Sequence, residues 1–262
     1  MSPIGNIIYS RINWLNKILF LSLIIFLSCS GDKKEPNIIF FLVDDLGWSD
    51  VAIYGSSFYE TPNIDQLAKD GVRFTQAYAA CHVCSPTRAS ILTGKYPARL
   101  QLTDWLKGRR EYDFEKLKSA KFYQHLPFEE ITLAEELKSN GYKTAIFGKW
   151  HLGEDPSGPL AHGFDLHIPK GWNKGWPKAG YYAPFKLDGI EDSEGDYLTD
   201  RLTDEALKFI DQNKKEPFFL YLSLFSRSSL LENLWSLYWL LSRIHYLNQR
   251  CLLEIYQPIL CS

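Results

Sequence analysis

The sequence predicts an α/β fold with a mostly parallel central sheet flanked by helices, incomplete at its C-terminus. Three observations carry this expectation. Short, continuous apolar runs recur at residues 36–43, 142–147 and 217–224, the pattern of strands covered on both faces. Amphipathic segments with their own start and stop residues lie between them. The first two runs end in polar clusters, Asp44-Asp45 and Gly148-Lys149-Trp150-His151-Leu152-Gly153. In open parallel sheets ligands bind at that edge.

The bulk properties agree. The chain has 262 residues, room for one large domain or two small ones. An apolar fraction of 45% and an aromatic fraction of 15% suffice for a buried core. A net charge of −2 with scattered cations gives no electrostatic case for nucleic acid.

In chain order, residues 1–29 read as an export signal. Arg11 and Lys17 precede a short apolar run, Ile18 to Leu27, which is followed by Ser28-Cys29-Ser30-Gly31. The run is too short for a comfortable membrane span. A cysteine directly after it resembles a bacterial lipobox, with Cys29 as the lipidated residue, although Phe26 stands where Leu is usual. The other reading is an ordinary cleaved signal. Residues 30–35 are then a polar tether, and the mature chain is exported: a periplasmic or outer-membrane-anchored lipoprotein, alternatively a secreted protein.

Residues 36–43 form the first strand, which ends at Asp44 and Asp45. Adjacent carboxylates repel unless a cation or a proton intervenes, and a hard divalent metal is the natural reason to pair them. The bland alternative is a polar strand exit. Thr61 to Gly71 reads as a helix: Thr61 caps, Pro62 begins, Ile64, Leu67 and Ala68 share a face, and Gly71 stops it. Val72 to Tyr78 alternates like a strand.

Cys84-Ser85-Pro86-Thr87-Arg88 follows, with Cys84 at or just before a helix start, Pro86 at the first helical position and Gly94 as the stop. Backbone N–H groups and the dipole favour an anion beside Cys84. Arg88, four residues on, projects from a nearby face toward such an oxyanion. Cys81-His82-Val83-Cys84 is also a C-x-x-C, open to a redox pair, half a zinc site or two buried thiols. Pro-Thr-Arg follows the second cysteine rather than the first, and the sequence offers no second Cys/His pair for zinc. Five cysteines leave an odd count, and a Cys81–Cys84 disulfide stays open.

Residues 102–128 show no sustained period and read as a surface excursion. Thr132-Leu133-Ala134-Glu135 is a capping box opening a helix that ends at Asn140-Gly141. Strand 142–147 delivers Lys149 and His151 to the same edge as Asp44. Lys149 suits a sulfate or phosphate oxygen, and His151 suits positioning or proton transfer. Alone, either is better explained as a solvated strand end. Trp150 reads as packing. Residues 167–195, rich in Gly, Pro and Trp, read as a loop or flap. There Trp172, Trp176, Tyr181 and Tyr182 suit either stacking on a sugar ring or a satellite core. Residues 197–212 have helical spacing.

The run Cys-x-Pro-Thr-Arg with Leu-Thr-Gly-Lys-Tyr-Pro after it, Val43-Asp44-Asp45-Leu46-Gly47-Trp48, and Gly148-Lys149-Trp150-His151-Leu152-Gly153 together resemble the type I sulfatases of the alkaline-phosphatase-like superfamily. His162-Gly163-Phe164-Asp165 matches a further, structural landmark. The resemblance covers the N-terminal part of a sulfatase domain, residues 36–225. It implies that Cys84 becomes formylglycine through a formylglycine-generating or sulfatase-maturating enzyme. It also implies that Asp44, Asp45 and the converted Cys84 bind Ca2+, and that Cys84, Arg88, Lys149 and His151 are catalytic. In the family a hydroxyl of the hydrated formylglycine attacks sulfur, and the second hydroxyl then expels sulfate. The implied substrate is a sulfated small molecule or polysaccharide. The alternatives are a phosphoester or phosphonate hydrolase on the same fold, and a non-catalytic exported fragment.

Residues 226–262 change character: 37 residues contain no Gly, Ala, Asp, Lys, Val or Thr, and ten are Leu. Glu232, Asn233 and Arg243 make a membrane span costly. A shifted reading frame is the preferred explanation of this atypical tail, and a divergent cap the runner-up. On this reading the family's second His, second Lys and further metal pair are absent, activity is weak or lost, and the sheet lacks neighbours on an exposed edge.

Overall fold

The computed structural model describes residues 35–172, 174–175, 180–224 and, for the backbone, 251–256. The expectations for the export signal, Cys29, Trp176 and residues 226–250 and 257–262 lie outside the described residues.

Five parallel strands form one sheet in the order β3-β2-β4-β1-β5. They are β1 (Asn37–Val43), β2 (Lys143–Gly148), β3 (Leu166–Ile168), β4 (Phe218–Leu224) and β5 (Cys251–Tyr256). Among the described residues five α-helices accompany them: α1 (Pro62–Asp70), α2 (Cys84–Thr93), α3 (Pro97–Leu100), α4 (Leu133–Ser139) and α5 (Leu198–Asn213).

The continuous apolar runs are explained by two buried faces. Ile39, Phe41 and Val43 of β1 and Phe218, Leu220, Leu222 and Leu224 of β4 join one core. Leu198, Leu202, Ala206, Phe209 and Ile210 of α5 close that core. The alternate residues Phe40, Leu42, Phe219 and Tyr221 join the other, with Ala89 and Leu92 of α2 and Ala134 of α4. Each large apolar side chain buried this way contributes roughly 1.5–3 kcal/mol of transfer free energy. Phe40 stacks on Tyr221 across the sheet, ring centroids 5.2 Å apart.

The predicted capping box is present. Thr132 Oγ1 accepts from the Glu135 N–H at 3.2 Å, and the Glu135 carboxylate accepts from Thr132 N–H at 2.7 Å. The 162–165 landmark is structural: Thr144 N–H donates to Asp165 Oδ2 at 3.0 Å, and His162 and Phe164 are buried. Thr61 occupies the N-cap of α1 but makes no cap bond. Its hydroxyl instead accepts from Ala52 N–H and donates to Asp65.

Three expectations are corrected. Val72 to Tyr78 is no strand. It runs along the surface with Val72, Phe74 and Tyr78 exposed, tied not to a strand but to the 53–54 turn, where Tyr54 Oη donates to Phe74 O at 2.8 Å and Arg73 Nη1 to Ile53 O at 2.6 Å. Cys84 therefore follows a loop. The sheet, expected to lack neighbours, gains one strand from the tail: β5 pairs with β1 in register Asn37–Cys251 through Leu42–Tyr256. The aromatic flap is largely core: Trp172 is buried and Tyr181 packs against the α5 side, leaving Tyr182 exposed. The even choice between sugar stacking and a satellite core thus falls to packing for Trp172 and Tyr181.

Candidate active site

The ends of β1, β4 and β2 are laced together. Asp44 N–H donates to Leu224 O at 3.2 Å, and Lys149 N–H donates to Ser223 O at 3.0 Å. Gly148 makes the second contact possible. Its φ is +101°, and an added Cβ would lie 1.9 Å from Ser223 O, so only glycine lets the backbones approach so closely. Asp45 and His151, the other turning residues, have φ of 58°, a region that Asp and His visit more readily than most residues.

The α2 helix begins at Cys84, with Val83 as N-cap. Pro86 is therefore the third helical residue rather than the first, a place its missing N–H still tolerates because the first-turn donors have no helical partner. Arg88 points back under the site and is buried. It donates to Asp44 Oδ1 at 2.9 Å, to Lys149 O at 2.7 Å and to Ser223 Oγ at 2.6 Å. Both terminal nitrogens are engaged, while Nε is buried without a hydrogen-bond partner among the described residues, so its charge reaches the site through Asp44. This replaces the expectation of a guanidinium reaching out to a bound oxyanion. Lys149, fully buried, donates to Asp44 Oδ2 at 2.5 Å and to Cys84 Sγ at 3.2 Å.

Burial raises the Asp44 carboxyl, but Arg88 and Lys149 outweigh it and hold the pKa at about 2. Asp45 lacks such pairing, and burial and the Asp44 charge push it up. Cys84 is raised by burial and by Asp44, against the pull of Lys149, so it is a thiol rather than an activated thiolate. Cys81 and Cys84 are both free, which leaves the disulfide reading unsupported. One ligating atom from each of Asp44, Asp45 and Cys84 lies within 4.8 Å of the others. A small cleft passes these three residues and the 81–83 segment.

His151 is buried close to this cluster, and its Nε2 lies 2.8 Å from Leu106 O. Burial, then Lys149, lower its pKa to about 4, while the Leu106 carbonyl opposes them. The sequence-predicted residues Asp44, Asp45, Cys84, Arg88 and Lys149 thus converge on one strand-end cluster. Sequence reasoning missed Ser223, whose hydroxyl secures Arg88, and Ser85, which binds the Leu106 backbone. The available signal for Ser223 was a lone hydroxyl in an otherwise apolar buried strand.

A parallel sheet flanked by helices, with paired carboxylates, a lysine and a helix-start cysteine at its C-terminal edge, defines an α/β class whose ligands bind at the strand ends. The same fold is shared by a crystal structure of a protein in the alkaline phosphatase superfamily from Vibrio parahaemolyticus, at TM-score 0.51 and 17% identity, over 86% of this chain and 54% of that one. Within that class the chain belongs to the sulfatase family, whose model, described as Sulfatase, matches residues 36–226. It is 36% identical over 214 residues to human N-acetylgalactosamine-6-sulfatase, covering 74% of this chain and 40% of that protein. It is 41% identical over 147 residues to bovine arylsulfatase A, covering 54% of this chain and 27% of that protein. The crystal structure of Ps i-CgsB in complex with k-i-k-neocarrahexaose is similar at TM-score 0.68 and 27% identity, over 85% of this chain and 58% of that one. The chain spans about two fifths or less of the length of these curated relatives.

Proposed function

We propose that the chain carries the nucleophile-bearing part of a sulfuric ester hydrolase acting on sulfated carbohydrates. Position 84 is converted to formylglycine by a maturating enzyme, and Ca2+ is held by Asp44, Asp45 and the modified residue. The observation that carries this reading is the convergence of two carboxylates, a buried lysine and the Cys84 side chain at one strand-end cluster. The carbohydrate class is supported by likeness to N-acetylgalactosamine-6-sulfatase and to a structure holding a neocarrahexaose.

The donor set suits the cation in kind. Sγ of Cys84 marks the place of a formylglycine oxygen, which would make three oxygen ligands, part of the six to eight that calcium takes. Bound there, calcium supplies positive charge that polarises a sulfuryl oxygen and lowers the pKa of an oxygen nucleophile. The protein groups do the remaining work. Lys149 holds its ammonium between Asp44 and position 84, where it offsets negative charge on a sulfuryl group. Arg88 fixes Asp44 in its ionised form and aims it. His151 is neutral at ordinary pH and available to accept a proton near position 84. Burial and the Asp44 charge push the Cys84 thiol up, so the unmodified side chain is a poor nucleophile there.

Export, with lipid anchoring at Cys29 and a periplasmic or outer-membrane location, is part of the proposal and rests on the N-terminal pattern alone. Among the described residues no helix is long and apolar enough to cross a membrane.

The test is co-expression of the full chain with a sulfatase-maturating enzyme. Mass spectrometry of the peptide containing residue 84 should show CH2SH replaced by CHO, and calorimetry should show calcium binding that Asp45→Asn abolishes. Aryl sulfate should then be hydrolysed in preference to aryl phosphate in a side-by-side assay. An unmodified Cys84 together with calcium affinity indifferent to Asp45→Asn would sink the reading. Preference for the phosphate ester would reassign it to the phosphoester hydrolases.

A further inference from the structure

His151 has a defined proton map. Its Nε2 lies 2.8 Å from the Leu106 carbonyl oxygen. A carbonyl only accepts, so Nε2 carries the hydrogen and the neutral ring leaves Nδ1 unprotonated. Nδ1 is buried and has no hydrogen-bond partner among the described residues. The charges around the ring are Lys149 and Arg88, which oppose a second proton, and Asp44, which favours one.

The Leu106 peptide does not stand alone. Its N–H donates to Ser85 Oγ at 3.1 Å. Ser85 is fully buried and follows Cys84 directly in the first turn of α2. Two hydrogen bonds therefore run from the residue beside the candidate nucleophile, through the backbone N–H and carbonyl of Leu106, to the imidazole. On another side the ring meets Gly175. A Cβ there would stand 2.9 Å from His151 Cε1, 3.0 Å from Nε2 and 3.2 Å from Nδ1. No positive φ calls for glycine at 175, so the lack of a side chain serves the ring rather than the backbone.

We propose that Ser85 and Gly175 are positioning residues for His151. Ser85 anchors the backbone of Leu106 through its N–H, so that the Leu106 carbonyl keeps the ring proton on Nε2 and Nδ1 is the proton acceptor. Gly175 leaves the room in which the ring keeps that orientation. The inference rests on the reading of this edge as the reactive site, yet its test needs no turnover.

The experiment uses the full chain with 15N-labelled histidine, and long-range proton–nitrogen spectra near neutral pH. The His151 signals are identified by their loss in His151→Gln. The wild-type ring should show a pyrrole-like Nε2 and a pyridine-like Nδ1. Ser85→Ala should weaken that tautomer preference roughly tenfold, Ser85→Thr should restore it, and Gly175→Ala should shift both ring nitrogens while Nε2 of the other histidines stays put. A wild-type ring protonated on Nδ1, or a Ser85→Ala spectrum identical to wild type, would overturn the proposal. Failure of calcium binding or formylglycine formation would overturn the functional reading instead, and would leave these spectra to be judged on their own.

Discussion

Asp44 and Asp45 are neighbours in the chain and opposites in the structure. Asp44 is buried between Arg88 and Lys149, whereas Asp45 is exposed, and partial desolvation of its carboxyl and the adjacent Asp44 charge push it upward. In the metal-free chain, Asp44→Asn strands two buried cations and should cost about 3–5 kcal/mol, read from the denaturant midpoint. Asp45→Asn should stay within about 1 kcal/mol of wild type, although both substitutions remove a proposed calcium ligand. Equal stability losses would show that the pairing seen here is not what holds Asp44. Acid should act in two stages. His151 and His167, held neutral by burial with pKa values near 4 against an ordinary 6.5, favour the folded state at neutral pH. That contribution, of order 3 kcal/mol each, is lost as pH falls from 6.5 through 4. Asp44, depressed from 3.8 to about 2, contributes fully above pH 3.8 and loses its effect as pH falls through 2. Urea titrations at stepped pH check both windows, and a flat profile between pH 6.5 and 4 would contradict the histidine assignment.

At the scale of elements, most of the architecture was legible because each signal was local. The runs that became β1, β2 and β4 are apolar on both faces, and the capping box at Thr132 writes the start of α4 in four residues. The candidate site was legible from motifs at strand exits. What was not legible depended on partners distant in sequence. Val72 to Tyr78 alternates as a strand does, but alternation does not supply an edge to pair with. Ser223 reads as a strand residue until Arg88, 135 positions earlier, is seen to use it. Leu166–Ile168 has only three residues, too few for a period. Two substitutions probe these joints. Gly148→Ala should cost at least ~2 kcal/mol, because a methyl group there meets the Ser223 carbonyl. Thr132→Ala should cost ~1–2 kcal/mol, losing both the cap and the bond it donates to His162 O at 2.8 Å. A wild-type midpoint for Gly148→Ala would mean that β2 and β4 part easily at that end.

For the whole molecule, the sheet places β4 between β1 and β2, so the strand carrying Ser223 is hydrogen-bonded on both sides. The stretch around Val72 and Phe74 belongs to no strand, and these two apolar side chains are open to solvent at 81% and 67% of full exposure. Replacing both residues with Thr should leave stability within about 0.5 kcal/mol while raising the concentration at which the chain aggregates. Light scattering and thermal melts check this together, and a large stability loss would show that the stretch is packed in solution.

Arg88 gives the molecule a last property. Its guanidinium joins the end of β1 through Asp44, the exit of β2 through the Lys149 carbonyl and the end of β4 through Ser223, while its own backbone belongs to α2. A site wired this way has no hinge of its own and cannot loosen by degrees while the sheet stays intact. Heat should therefore not silence the site first and unfold the protein later. Calcium affinity and the far-ultraviolet signal should fade along a single curve, with one midpoint for both.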